Sequence, residues 1–266
     1  MYLDVRHLRA FYDLPLGRTL RVLVGARVRE VWPDMRGKSL LGMGYATPFL
    51  RPYLRETDRI FAAMPAAQGV MKWPREAERP NAAFLTENDC LPLPDSSIDR
   101  IMLVHALDMA HDPDGLMGEA YRVLAPGGRL LVVVPNRRGA WCRSEVSPFG
   151  YGRPYSRPQL ESFLTSHMLS VVSQEEALYV PPTRSRMIMK SARSFERVGQ
   201  VLWPAFAGLL VVEAEKKVYR GLTNRSNRAA RVLRPVFLPE GKTAGVQAMD
   251  GCREPVIYGS PHPSSS

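Results

Sequence analysis

Two glycines one residue apart, Gly42 and Gly44, close the run Ser39-Leu40-Leu41 and lead into Tyr45-Ala46-Thr47-Pro48. A glycine lacks Cβ, so it tolerates positive φ and lets another group come close to the main chain. At the end of a strand such a turn is suited to holding a phosphate or a nucleoside. Other residues able to do chemistry are few. Glu87 and Asn88 follow the apolar run of "NAAFLT", and His105 follows "IDRIMLV". His105, His111 and the tyrosines of residues 137–155 are the side chains available to take a proton from a substrate, and nothing in their spacing ranks them, so no catalytic residue is assigned. Cys90, Cys142 and Cys252 are far apart and odd in number, which leaves neither a disulfide framework nor a CxxC metal site. No metal site is expected.

The elements that must position these residues follow from hydrophobic periodicity. Leu16, Leu20, Val24 and Val28 recur every four residues, which predicts an amphipathic helix stopped by Pro33. "KSLLGMG" reads as a buried strand, "PFLRPYLRE" as the start of a helix with proline in its first turn, and "RIFAAMP", "NAAFLTEN" and "IDRIMLVHAL" as three more strands. In "DPDGLMGEAYRVLAPGGRLLVVVPN", Asp112 or Asp114 caps a helix with Leu116, Ala120, Val123 and Leu124 on its apolar face. Pro126-Gly127-Gly128 ends that helix before an apolar strand, Leu130 to Val134. A helix capped near Ser156, a strand around Leu169 to Val180, a basic helix around Ser191 to Leu202 and a last strand from Gly208 to Glu213 complete the pattern. Strands alternating with helices imply parallel pairing, and continuous apolar strands imply a sheet covered on both faces. The fold class is therefore α/β, a doubly wound, mostly parallel sheet.

The stretch Leu91 to Asn136 resembles the class I S-adenosylmethionine-dependent methyltransferases of the type 11 kind. Pro94-Asp95 before Ile98-Asp99, His105 at the strand end and the Pro126-Gly127-Gly128 turn carry the likeness, which extends over residues 38–219. The resemblance implies a seven-stranded Rossmann-like methyltransferase fold whose last strand is antiparallel. It implies S-adenosylmethionine as cofactor, lying across the carboxyl ends of the first strands, where the strand order reverses. Carried over by position, Gly42 and Gly44 lie beneath the methionine part. Glu87 accepts from the exocyclic amine of adenine, the Asn88 backbone amide meets the ring, Leu91 packs on the base, and His105 stands near the methyl-transfer position. Two plainer readings stay open: Glu87 as a solvated loop carboxylate and His105 as a structural histidine.

Three positions depart from the family's pattern. Leu40 stands where an acid commonly opens the glycine motif, and Ala46 stands where the family has a third glycine. The acid that accepts from ribose hydroxyls is expected within Ala62-Ala63-Met64-Pro65, yet no Asp or Glu lies between Asp58 and Glu76. Losing such a charge-assisted hydrogen bond costs about 1.5 to 3 kcal/mol. The turn around Gly44 is expected on the surface, where substitution leaves the fold intact.

Charge and composition set the remaining bounds. The chain has 266 residues and a net charge of +10, and from Lys216 onward nine Lys/Arg face three Asp/Glu, about +6. This divides the chain into an N-terminal helical segment (1–37), a methyltransferase-like domain (38–219) and a basic tail (220–266). The tail is expected to be docked near Val232 to Leu238, free at its end, and suited to an anionic partner such as RNA or a membrane surface. No run is long and apolar enough for a transmembrane helix, and charges in "MYLDVRHLRAFYD" argue against a secretory signal, so a cytoplasmic location is expected. In residues 137–155, arginines interleaved with Trp141, Phe149, Tyr151 and Tyr155 suit either an anionic planar substrate or a lid packed on the body. The functional expectation is an S-adenosylmethionine-dependent methyltransferase; the competing one is a catalytically impaired methyltransferase-like binding or regulatory protein. The substrate, whether small molecule, lipid, protein or RNA, is not legible.

Overall fold

The computed structural model of the chain describes residues 3–76, 78–183, 185–202 and 206–217. The basic tail, including the expected docking segment, lies outside the described residues. Two helices come first, α1 (Val5–Asp13) and α2 (Pro15–Val31). They are followed by β1 (Ser39–Gly44), a short α3 (Thr47–Leu50), β2 (Arg59–Pro65), β3 (Ala83–Thr86), β4 (Ile98–Val104), α4 (Pro113–Val123) and β5 (Leu124–Pro135). The last part comprises α5 (Arg157–Ser166), β6 (Leu169–Ala177), α6 (Arg186–Lys190), α7 (Ala192–Leu202) and β7 (Leu209–Lys216). Among the described residues the strands form one seven-stranded sheet in the order β3-β2-β1-β4-β5-β7-β6. β1 to β5 pair in parallel, and β7 lies antiparallel between β5 and β6, as the resemblance implies.

The period-2 alternation of the strands divides the core in two. Leu40, Met102, Val104, Leu131 and Val133 face one layer, while Leu41, Leu103, Leu130 and Val132 face the other. The first layer is covered by α1, α2 and α3, through Leu8, Leu20, Val24, Val28, Phe49 and Leu50. α4 and α5 cover the second, through Leu116, Met117, Ala120, Leu160 and Leu164. The N-terminal helices therefore share one core with β1. Trp32, just after α2, adds a polar tie: its indole N–H donates to Glu213 Oε1 on β7 at 2.8 Å, and Arg129 on β5 approaches the same oxygen at 3.1 Å.

Several local expectations are met in altered form. Asp112 caps α4, accepting from the Asp114 and Gly115 amides, and Ser156 with Gln159 forms a capping box on α5. The helix expected after β1 is only four residues long and passes into a 3-10 turn at Arg51–Tyr53, because Pro52 cannot donate to a continuing helix. The Pro126-Gly127-Gly128 turn lies within β5, which begins at Leu124, and the pairing with β4 shifts register between Ile98 and Arg100 to absorb it.

Leu20 is fully buried where α2 meets the sheet. Leu20→Ala should lower the unfolding free energy by about 2 to 5 kcal/mol in urea denaturation. A loss below about 1 kcal/mol would show that α2 is not part of the cooperative core.

Candidate functional site

The carboxyl ends of β1 and β4 lie side by side, with Gly44 opposite Val104. Gly44 adopts φ +78°, and the following amide, of Tyr45, donates to Val104 O at 2.8 Å. A Cβ on Gly44 would stand 2.5 Å from Val104 O and 2.8 Å from His105 O, so the residue is glycine because β4's backbone occupies that space. A Cβ on Gly42 would stand 2.5 Å from Leu50 Cδ1, so that glycine lets α3 pack close to β1. Tyr45 and Ala46 are each only 1% exposed. The turn is thus buried, not superficial, which corrects the expectation of a surface turn that substitution leaves harmless. Leu40 is buried against the N-terminal helices, so an acid there would have no water to face.

What covers the turn comes from three distant segments. The Tyr12 ring of α1 stacks on Tyr45 with centroids 5.6 Å apart, and its hydroxyl lies 2.8 Å from His105 Nε2. His105 is fully buried at φ +52°, an uncommon conformation for a non-glycine residue of the kind that collects at functional sites. Its other face meets the Phe149 ring, with centroids 4.2 Å apart. Burial first, then Tyr45 and Asp108, hold the Tyr12 phenol well above its ordinary pKa, so it is a neutral hydroxyl. Gln68, in the turn after β2, donates from Nε2 to Gly44 O at 3.3 Å, while its backbone carbonyl accepts from the Val5 amide at 2.9 Å.

Unsatisfied polar atoms gather here. Gln68 Oε1, His105 Nδ1 and both Asp108 carboxylate oxygens are buried without a hydrogen-bond partner. Buried polar groups are normally paired, so such a concentration marks a place for a ligand or for water. Asp108 Oδ2 stands 3.8 Å from His105 Nδ1, too far for a hydrogen bond but close enough for charge to matter.

The structure brings Gly42, Gly44 and His105 together. Glu87 and Asn88 lie at the same edge of the sheet, beyond β3, whose Thr86 pairs with Pro65 of β2. Glu87 is exposed and Asn88 half-buried. Two strand spacings, about 10 Å, separate β3 from β1, a distance that a nucleoside joined to methionine spans. Ala63 and Met64, the positions expected to lack a ribose acid, are interior to β2 and at most 1% exposed. The first polar side chain after that strand that reaches the glycine turn is Gln68. Sequence reading missed it, although it follows a strand end and two alanines, and missed Asp108, although it lies three residues after His105. Tyr12 had no signal, and Phe149 was legible only as a loop aromatic, because their partner His105 is remote in the chain.

The loop of residues 137–155 packs most of its aromatics inward. Trp141, Phe149 and Tyr155 are buried, and the Trp141 indole donates to Val180 O at 2.7 Å; Tyr151 is 53% exposed. This favours a lid over a stacking platform. Beside it an open cleft of about 460 Å³ is lined by Asp114, Arg137, Arg153, Tyr155 and Phe163. Among the described residues no group of three His, Cys, Asp or Glu side chains is placed to hold a metal ion, and no helix is long and apolar enough to cross a membrane.

Gly44→Ala should destabilise the fold by about 2 kcal/mol or more, since it adds a left-handed strain to a backbone clash. A thermal melt unchanged from wild type would show that the turn relaxes freely and is not locked against β4.

Comparison with known proteins agrees with this geometry. Residues 41–132 match the family described as methyltransferase domain. The malonyl-[acyl-carrier protein] O-methyltransferase of Serratia marcescens is 27% identical over 108 residues, 41% of this chain and 42% of that protein. The ubiquinone/menaquinone biosynthesis C-methyltransferase of Escherichia coli is 32% identical over 108 residues, 37% of this chain and 43% of that protein. The chain thus spans less than half the length of these curated relatives. A solved S-adenosylmethionine-dependent methyltransferase from Aquifex aeolicus superposes with a TM-score of 0.54 at 16% identity, covering 80% of this chain and 99% of that one. Over residues 41–132 the chain is thus similar to the methyltransferase domain family, and its seven-stranded sheet has the fold of the solved methyltransferase.

Proposed function

We propose that the chain is an S-adenosylmethionine-dependent methyltransferase whose cofactor lies along the edge from Gly44 to Glu87 and whose acceptor enters from the cleft beside Tyr155. The observation that carries this reading is the orphaned Gln68 Oε1, a buried acceptor held next to the glycine turn at the end of β2. It lies three residues beyond the strand end where the superfamily has its acceptor for ribose hydroxyls, and a neutral amide oxygen there stands in for the missing carboxylate. Gly42, Gly44 and His105 form the methionine end, and Glu87 and Asn88 the adenine end. When bound, the cofactor supplies a methyl group on a positively charged sulfur. The protein's own part is alignment and exclusion of water, which matter more for such an in-line displacement than a specialised acid or base. The burial of His105, Tyr45 and Phe149 at the strand ends supports a dry reaction site. A cytoplasmic location and an anionic partner for the basic tail belong to the same proposal, supported by the scattered cysteines and the tail's charge.

A second reading, a methyltransferase-like binding or regulatory protein, is favoured by Leu40 and by Tyr12 lying over the turn. A ligand reaches Gly44 only if the end of α1 moves. Isothermal calorimetry with S-adenosylhomocysteine separates the two. Binding by the wild-type chain, weakened up to about tenfold in Gln68→Ala, the scale of one neutral hydrogen bond, is the expected result. Absence of heat and of thermal stabilisation at millimolar ligand would favour the binding protein.

A further inference from the structure

Asp108 is the charged group in this site that neither the fold nor the cofactor explains. It lies four residues beyond the end of β4, its side chain has no exposed surface, and neither carboxylate oxygen has a hydrogen-bond partner. The rings of Tyr12 and Tyr155 lie within range of its charge, each phenol being raised chiefly by burial and in smaller part by Asp108. His105, which stacks on Phe149, turns Nδ1 toward it at 3.8 Å. The backbone folds around the carboxylate to make room for it: a Cβ on Gly152 would stand 2.6 Å from Asp108 Oδ2, and the Arg153 amide donates to Asp108 O at 2.6 Å. Tyr155 also lines the 460 Å³ cleft, so the carboxylate and the cleft share a wall.

We propose that Asp108 is the recognition group for the methyl acceptor and that the acceptor is an amine. This rests on the methyltransferase reading above and names its substrate class. A buried carboxylate with neither oxygen hydrogen-bonded calls for a counter-charge as well as hydrogen bonds. An ammonium supplies both; an alcohol supplies one hydrogen bond and leaves the charge uncompensated. In the tautomer in which the Tyr12 hydroxyl donates to Nε2, His105 carries its ring proton on Nδ1, 3.8 Å from Asp108 Oδ2. The acceptor enters from the cleft past Tyr155 as the segment Phe149 to Tyr155 lifts. Its nitrogen passes a proton to the Asp108 carboxylate, which returns it to solvent once the segment Phe149 to Tyr155 lifts again to release product. The nitrogen lone pair then forms the new N–CH3 bond, and the electron pair of the broken S–CH3 bond stays on sulfur as a neutral thioether.

The test uses the full chain and two probes of one shape, 2-phenylethylamine and 2-phenylethanol, each titrated with and without S-adenosylhomocysteine at saturation. The expected result is that the amine binds at least tenfold more tightly than the alcohol. Asp108→Asn should abolish that preference while leaving S-adenosylhomocysteine affinity within about twofold, less than a single hydrogen bond is worth. Gly152→Ala, which keeps the charge but crowds it, should weaken the amine as well, so the conclusion does not depend on one variant's folding. Equal binding of amine and alcohol, or no binding of the amine, overturns the proposal. So does a tenfold loss of S-adenosylhomocysteine affinity in Asp108→Asn, which would assign the carboxylate to the cofactor. Binding of the amine without S-adenosylhomocysteine binding would instead overturn the methyltransferase reading and leave the amine site standing.

Discussion

The site depends on how closely β1 and β4 approach at their carboxyl ends. Gly44 sits so near Val104 O and His105 O that no side chain fits between them. Because the strands end in step, the chain beyond β4 turns at once, and His105 takes a left-handed conformation with its ring between Tyr12 and Phe149. A β-carbon at Gly44 would push these strand ends apart and with them the ring. The buried polar cluster of His105, Tyr12, Gln68 and Asp108 exists because this one contact fixes where the two strands stop.

Around that contact the fold places its polar groups in dry surroundings, where each counts for more than it would in water. Tyr12 and His105 satisfy each other, and Gln68 satisfies Gly44 O. What is left over, one amide oxygen, one ring nitrogen and a carboxylate, is an uncompensated set of the kind stable folds avoid and binding sites keep. Other buried charged groups among the described residues have partners. Glu196 accepts from the Leu178 and Tyr179 amides, Glu213 from Trp32 and Arg129, and the Lys216 ammonium donates to Tyr121 O and Leu124 O, both at 2.7 Å. These buried charges outside the site have hydrogen-bond partners, and the Asp108 carboxylate within it has none among the described residues.

The N-terminal helices belong to the same logic. α2 buries its four-residue repeat against the sheet, and that placement brings α1 back over the strand ends, so that Tyr12 reaches a histidine 93 positions away. The helix that shields one face of the sheet therefore also closes the site. Departures from the family's usual residues fit this arrangement: Leu40 is apolar because it faces α2's layer of the core.

Much of this was legible in the residues alone. The alternation of apolar strands with helices, the caps at Asp112 and Ser156, the glycine turn and the antiparallel last strand follow from patterns two to four residues long or from a resemblance carried by one continuous stretch. That Gly44 and His105 stand at the ends of β1 and β4 was legible for the same reason. The sequence did not show that the turn is buried, that Gln68 rather than an acid follows β2, or that Tyr12, Phe149 and Asp108 converge on His105. Local periodicity reports which way a side chain points along its own element. Whether that side chain meets water, a ring or an unpaired charge is decided by elements far away in the chain, and only their packing in three dimensions brings them together.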